Sequence, residues 1–295
     1  MKNNYSIKVP LKNSPYEIIV GKNVIEKNKK KIFSAIKDAQ KIFIITDTVI
    51  RKLHLKKIIK IIPKKIFVKT FVISSGEKMK DIKTINKLIS FLLKNNVSRN
   101  DAIFAVGGGV IGDISGFLAS ITLRGVNLIH FPTTLLAQVD SSVGGKTGVN
   151  SSYGKNLIGT FYQPNLVICD TIFLSTLPKR ELTAGYAEVI KYSIIYDKIF
   201  FNWLNKNSKG LLKLDNLKVI KTIKRSVEIK KEFVLKDEKD INNKRALLNF
   251  GHTFAHSLEN CTKYSKILLH GEAVAIGICM ACKLSNILGF LSLNN

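Results

Sequence analysis

Three of the chain's five histidines cluster late in the sequence, at His252, His256 and His270. His252 and His256 are four apart in "FGHTFAHSLE", so on a helix they share a face. His270 opens "HGEAVAIG", where the following glycine lets another segment come close. Glu188 lies between apolar neighbours in "GYAEVIKYS". Imidazole and carboxylate are zinc donors, and three protein ligands with one open position is the usual form of a catalytic zinc site. The residue types leave open whether His252 and His256 both ligate or one of them serves a substrate. Capped or core histidines are the plainer reading of the same residues.

A second chemistry is written into "AIFAVGGGVIGDISG" (102–116). An apolar run enters three glycines and a helical pattern leaves them. Such a turn lets backbone N–H groups approach a phosphate at the positive end of a helix. Gly107, Gly109 and Gly112 satisfy G-x-G-x-x-G, but the acid that a Rossmann site places at the end of the next strand is missing. That strand, "VNLIHFP", ends in His130 and Phe131. Asp47, after "KIFIIT", offers a substitute contact for a ribose, and "SSGEKMK" adds Glu77 and Lys80 after the following strand.

Cations also crowd the glycine-rich segments. "DSSVGGKTGVN" holds Asp140 and Lys146, and "YGKNLIG" holds Lys155 and Asn156. Arg124 follows a helix in "TLRG", Lys191 stands three residues after Glu188, and Arg245 and Asn249 precede His252. A cation embedded among glycines and apolar residues is costly unless an anion accompanies it.

The elements that position these groups change character along the chain. "YSIKVP", "YEIIVG", "KIFIIT", "IFVKTFVI", "AIFAV" and "VNLIHF" read as strands, and "DIKTINKLISFLLKNN" as a helix with Asp81 at its start. The β-α-β rhythm predicts a mainly parallel sheet with helices on both faces. Beyond about residue 175 the pattern is helical, in "KRELTAGYAEVIKYSII" behind Pro178, "LKVIKTIKRSVEIKKEFV", "RALLNFGHTFAHSLENC" and "HGEAVAIGICMACKLSNIL". The expected division is an α/β domain over 1–175 and a helical domain over 176–295, hinged near "STLPKRE".

Composition narrows the class. The chain has 295 residues, 45% of them hydrophobic, enough for two domains with a sizeable core. No apolar run is long enough to cross a bilayer, and "MKNNYSIKVP" lacks the apolar centre of a signal peptide. Four cysteines suit a reducing cytoplasm, and Cys279 and Cys282, a C-x-x-C pair in an apolar helix, are expected as core residues. The net charge of +26 is spread along the chain with no basic tail or stripe, so neither nucleic acid nor a membrane is expected as partner.

Together these blocks resemble one family, the 3-dehydroquinate synthases among the sugar-phosphate cyclases. "GGGVIGD", "FPTTLLAQVDSSVGGKTGVN", "GKNLIGTFYQP", "GYAEVIKY", "LLNFGHTFAHSLE" and "LHGEAVAIG" stand in the family's order, from about residue 40 to about 285. The resemblance implies an NAD-binding α/β domain, a helical domain and an active site in the cleft between them. It implies zinc, or cobalt in its place, on Glu188, His252 and His270. It implies NAD contacts from Asp47, Glu77, Lys80, Gly108, Gly109, Val110, Asp113, Thr133, Thr134, Asp140, Ser141, Lys155, Phe173, Thr176 and Leu177. Arg124, Lys146, Asn156, Lys191, Lys230, Arg245, Asn249 and His256 would face a sugar-acid phosphate. Lys146, Asn156, Asn249 and His256 would hold its phosphate, and Arg245 and Lys230 its carboxylate. Arg124 would reach the active site of a second subunit, which implies a homodimer.

In this family the chain continues beyond "ILGFLSLNN" with further helices and a late lysine. Without them the helical domain is expected to expose apolar surface. The competing readings are another sugar-phosphate cyclase, a metal-dependent polyol dehydrogenase of similar form, and an inactive relic. Only a dehydrogenase would release NADH in net amounts.

Overall fold

The computed structural model describes residues 4–263 and 265–292. Seven strands form one sheet: β1 (Asn4–Val9), β2 (Tyr16–Gly21), β3 (Lys41–Asp47), β4 (Phe67–Ile73), β5 (Ala102–Gly107), β6 (Asn127–Pro132) and β9 (Leu166–Asp170). Between β6 and β9, β7 (Lys146–Ser151) and β8 (Gly154–Phe161) make a separate antiparallel hairpin. The sheet order is β1-β2-β9-β6-β5-β3-β4, parallel throughout except for the β1/β2 pair. Every residue of β5 is buried, as the unbroken apolar run requires of a strand covered on both faces. At the sheet's edge β1 alternates, with Ile7 and Val9 inward and Ser6 and Lys8 outward.

Helices α1 (Val24–Lys27), α2 (Lys29–Ser34), α3 (Thr48–Leu53) and α4 (Leu55–Ile61) precede β4; α5 (Ile82–Lys94) and α6 (Gly109–Ile121) flank β5. One face of the sheet buries Ile44, Phe104, Phe131 and Ile168 with Ile25, Ile32 and Ile58. The other buries Phe43, Ile45, Ile103 and Leu128 with Leu88 and Ile114. The Asp81 carboxylate caps α5 by accepting from Thr84 N at 2.7 Å.

From Lys179 onward the chain is helical: α7 (Lys179–Tyr196), α8 (Lys198–Leu212), α9 (Asn216–Lys236), α10 (His252–Cys261) and α11 (His270–Ile287). Helices α7 to α9 share one apolar cluster with β2 and β9, in which Tyr192, Leu204 and Ile223 pack with Ile18, Val20 and Val167. Smaller side chains, Ala187, Ala255, Ala273 and Val274, draw α7, α10 and α11 together.

Three expectations need correction. The helix read through "RALLNFGHTFAHSLENC" is interrupted at Gly251, φ +80°, so a single turn over Ala246–Asn249 precedes α10. The hairpin β7/β8 and strand β9 have no counterpart in the sequence reading. Cys279 and Cys282 are not both core residues: Cys279 is exposed, whereas Cys282 is half-buried and packs against the cluster of Ala187, Ala255 and Ala273, and all four cysteines are free thiols. The exposed side of α11 also carries Ile276, Met280, Leu284 and Ile287.

Candidate active site

Glu188 lies in the middle of α7, fully buried. His252 is the first residue of α10 and His270 the first of α11. One ligand atom from each of Glu188, His252 and His270 lies within 4.8 Å of the others. His252 Nε2 is 3.5 Å and His270 Nε2 3.7 Å from Glu188 Oε1. Neither Glu188 oxygen accepts a well-formed hydrogen bond; Oε2 lies against the Lys191 ammonium, and Oε1, facing the two histidines, is left open to a cation. His252 Nδ1 faces the Phe250 carbonyl at 3.3 Å and His270 Nδ1 faces Glu259 Oε2 at 3.2 Å, so both rings turn Nε2 toward Glu188. The His256 ring stands beside them, 5.5 Å from that of His252, but outside the three-ligand group. Geometry thus separates two histidines that spacing left equivalent. The two-nitrogen, one-carboxylate set fits zinc or cobalt.

Close helix packing sets these distances. A Cβ on Gly271 would meet the Ala184 carbonyl oxygen at 1.9 Å, so α7 and α11 approach as near as only glycine permits, one residue from His270. Arg180 of α7 clamps the same turn, donating to Glu272 Oε1 at 2.6 Å and Oε2 at 2.7 Å. Burial and the Lys191 charge bring the His252 imidazole down to about 4, so it is neutral at neutral pH. Burial acts to raise the Glu188 carboxyl, but Lys191, His270 and His252 outweigh it and hold the group at about 2.

Three cations are buried nearby. Lys191 pairs with Glu188, three residues away on α7. Lys230 of α9 donates to Asp140 Oδ1 at 2.6 Å and to the Asp140 carbonyl at 2.9 Å. The Tyr192 hydroxyl donates to that same Oδ1. Asp140 belongs to a wide turn, Ala137–Ser141, closed by Ser142 N to the Ala137 carbonyl. Burial lowers the Lys230 ammonium, and Asp140 offsets this only in part. Arg245 is 2% exposed, yet no carboxylate among the described residues pairs with it. Its Nη1 donates to the Glu238 carbonyl at 3.1 Å, and its Nε has no partner. Gly144, φ +96°, lies against this guanidinium. Lys146 pairs with Asp240, while Asn249 and His256 are exposed at the rim.

Residues expected to contact a nucleotide gather at the carboxyl ends of β4, β3 and β5, which are adjacent in the sheet. Gly107 ends β5, and Gly108 precedes α6 without a side-chain cap, so the first N–H groups of α6 are open. A Cβ on Gly108 would meet Thr134 at 3.1 Å, and one on Gly109 would meet Ser141 Oγ at 3.2 Å. Thr133 Oγ1 is buried there without a hydrogen-bond partner. A bare helix start with an orphaned hydroxyl fits a pyrophosphate. Val110 is half-buried on the first turn of α6. Asp47 caps α3 through Val49 N and Ile50 N and accepts from Ser75 Oγ at 2.9 Å. Lys80 donates to Asp113 and to Asn156, both at 2.5 Å, and Asn150 donates to Glu77 at 2.8 Å. Burial works against the Lys80 charge, but Asp113 and Glu77 outweigh it and raise its pKa. Lys155 donates to Glu259 at 2.7 Å. Phe173 is buried, half-buried Leu177 follows, and Thr176 lies 2.7 Å from His54 Nε2.

One predicted residue stands apart. Arg124, exposed with φ +66°, sits between the end of α6 and the start of β6, at the opposite edge of the sheet from the glycine turn. Four residues of the neighbourhood escaped the sequence reading: His54, Tyr192, Asp240 and Glu259. Glu259 had a legible signal, since it lies seven positions after His252 on the same helical face.

Known proteins agree with this arrangement. The family model for the N-terminal part of 3-dehydroquinate synthase matches residues 70–184, and that for the C-terminal part matches 185–295. A 3-dehydroquinate synthase of Pelagibacter ubique is 46% identical over 279 residues, covering 95% of this chain and 75% of that protein. The structure of 2-deoxy-scyllo-inosose synthase with carbaglucose-6-phosphate, NAD+ and Co2+ superimposes with a TM-score of 0.90 at 26% identity, over 98% of this chain and 78% of that one. A 2-epi-5-epi-valiolone synthase from Streptomyces hygroscopicus subsp. jinggangensis, with NAD+ and Zn2+ bound, gives 0.87 at 28% identity, over 96% and 78%. On both domain models and on identity across nearly its whole length, the chain belongs to the 3-dehydroquinate synthase family.

Proposed function

We propose that this chain converts 3-deoxy-D-arabino-heptulosonate 7-phosphate to 3-dehydroquinate and inorganic phosphate. The observation that carries the reading is Arg245, a buried guanidinium without a carboxylate partner. It interacts with Lys230, and Lys230 in turn with Lys191, the partner of Glu188 in the Glu188–His252–His270 group, so the pocket is suited to take up an anionic substrate at a metal. When bound, NAD would take a hydride from the substrate and return it, and zinc or cobalt would polarise the hydroxyl being oxidised.

The chain's own groups account for the rest. Arg245 and Lys230 hold the substrate carboxylate, and Lys146, Asn156, Asn249 and His256 hold the phosphate that is eliminated. Lys191, paired with Glu188, reaches a ring hydroxyl. Gly108, Gly109, Val110, Thr133, Thr134, Asp140 and Ser141 hold the nucleotide, with Asp47, Glu77, Lys80, Asp113, Lys155, Phe173, Thr176 and Leu177 around it. Positioning of a flexible sugar acid by fixed charges supplies much of the rate.

The working form is a homodimer, with Arg124 facing the partner's site; its distance from its own pocket supports this. Four free thiols support a reducing cytoplasm. Among the described residues no helix is long and apolar enough to cross a membrane.

The test supplies purified protein with Co2+, NAD and the heptulosonate phosphate, then follows phosphate and NADH absorbance together. Phosphate release that a chelator abolishes, without NADH accumulation, is the expected result. Net NADH would replace the cyclase with a polyol dehydrogenase. Turnover only of a sugar phosphate lacking the carboxylate would assign another cyclase.

A further inference from the structure

Glu259 touches both halves of this site, a histidine of the metal group and a lysine of the β7/β8 hairpin. Its side chain is 3% exposed, on α10 seven residues after His252. Oε2 lies 3.2 Å from His270 Nδ1, and Oε1 accepts from Lys155 Nζ at 2.7 Å. Lys155 belongs to the β7/β8 hairpin, so the contact also ties α10 to the α/β part of the chain. A carboxylate buried to this extent is retained at a cost, and an ordinary surface ion pair does not require that burial.

We propose that Glu259 is a positioning residue for the metal site, one that accepts from His270 Nδ1–H and so presents Nε2 to the metal. The inference rests on the proposed metal role of His270. With Nδ1 engaged, the imidazole tautomer is fixed and the ring cannot turn away from Glu188 Oε1, 3.7 Å from Nε2. His252 has the neutral equivalent in the Phe250 carbonyl. The two histidines are thus held differently, one by a backbone dipole and one by a full charge. The charged anchor also makes His270 the stronger donor. Because Lys155 shares the carboxylate, the nucleotide side of the cleft restrains the same anchor.

The experiment measures Co2+ affinity by chelator competition and the visible spectrum of the bound ion, without substrate. Glu259→Gln keeps the shape and loses the charge; its Co2+ dissociation constant should rise about 10- to 100-fold, with a changed ligand-field spectrum. Glu259→Asp should recover part of the affinity. A folded Glu259→Gln protein with wild-type affinity and spectrum overturns the proposal, because a plain staple between α10 and the hairpin would lower thermal stability alone. If neither variant folds, 15N chemical shifts of His270 in metal-loaded wild type decide: Nδ1–H with metallated Nε2 supports it, and metallated Nδ1 overturns it. Turnover is measured separately. Altered Co2+ affinity in a chain that never releases phosphate would refute the proposed reaction and leave this inference standing.

Discussion

Arg245 shows how one side chain can oppose stability and serve binding. Its guanidinium is buried, its Nε lacks a partner, and no acid among the described residues neutralises it. A cation held so costs the apoprotein free energy, and a bound carboxylate would recover it. Replacement by a flexible apolar side chain removes that cost and breaks no ion pair, although Asp237 loses a nearby positive charge. Arg245→Met should therefore melt no lower than wild type, by calorimetry without substrate. The same variant should lose at least about a hundredfold in kcat/KM, the equivalent of roughly 3 kcal/mol of charge-assisted hydrogen bonding. Lys191→Met is the contrast, because it leaves Glu188 buried and unpaired. A marked fall in the melting temperature of Arg245→Met would mean that the guanidinium is structural. This balance was not legible in the sequence. Arg245 could be read as embedded among apolar residues, but its lack of a carboxylate depends on where Glu238 and Asp240 point.

Element packing decides whether the metal group exists at all. The motifs identified Glu188, His252 and His270 as a set, yet the approach of α7 to α11 comes from Gly271 against the Ala184 carbonyl. Gly271→Ala should push the helices apart, costing about 2–4 kcal/mol and lowering metal content at equal protein. Full metal loading in that variant would move the control of the site elsewhere. Strands β3, β5 and β6 were legible because buried parallel strands are nearly continuous apolar runs, and the edge strand β4 because its β-branched and aromatic residues still outnumber Lys69. The β7/β8 hairpin was not, since "GKTGVN" and "GKNLIG" carry glycine, lysine and asparagine that disfavour strands in isolation. The loop after α9 was equally opaque. There Asp237 accepts from the N–H groups of Ile241, Asn242 and Lys244, and so shapes the segment that carries Asp240 to Lys146. Burial acts to raise its carboxyl, but these three donors outweigh it and hold it below the ordinary 3.8. The depressed pKa contributes stability that is complete above about pH 4 and is lost as pH falls through the folded-state value. Asp237→Asn should accordingly melt lower than wild type at pH 7, and the two melting curves should converge below pH 4. A constant difference between them down to pH 2.5 would exclude the linkage.

At the scale of the whole molecule, the sheet puts Arg124 in the wrong place for its own site. Helix α6 starts at the glycine turn and runs 13 residues to Ile121, about 20 Å along its axis, so Arg124 emerges at the amino edge of the sheet. The residues proposed for the nucleotide and the metal lie at the carboxyl edge and among the helices beyond it. The sequence could name Arg124 through its family motif, but the distance appears only once α6 is laid across the sheet. A left-handed backbone at Leu123 and Arg124, φ +49° and +66°, turns the arginine outward instead of continuing the helix. An exposed cation on a strained turn suits a role in a neighbouring subunit better than one within the chain. Complementation tests this directly. In the proposed homodimer, the Arg124→Ala and Lys146→Ala proteins should each be nearly inactive when purified alone. In a mixed dimer, the Arg124→Ala protomer keeps an intact Lys146 and receives Arg124 from its partner, so one of two sites is whole. Random reassortment makes about half the dimers mixed, and the sample should regain about a quarter of wild-type activity. Were Arg124 to act within its own chain, every site would lack one residue or the other, and mixing would restore nothing.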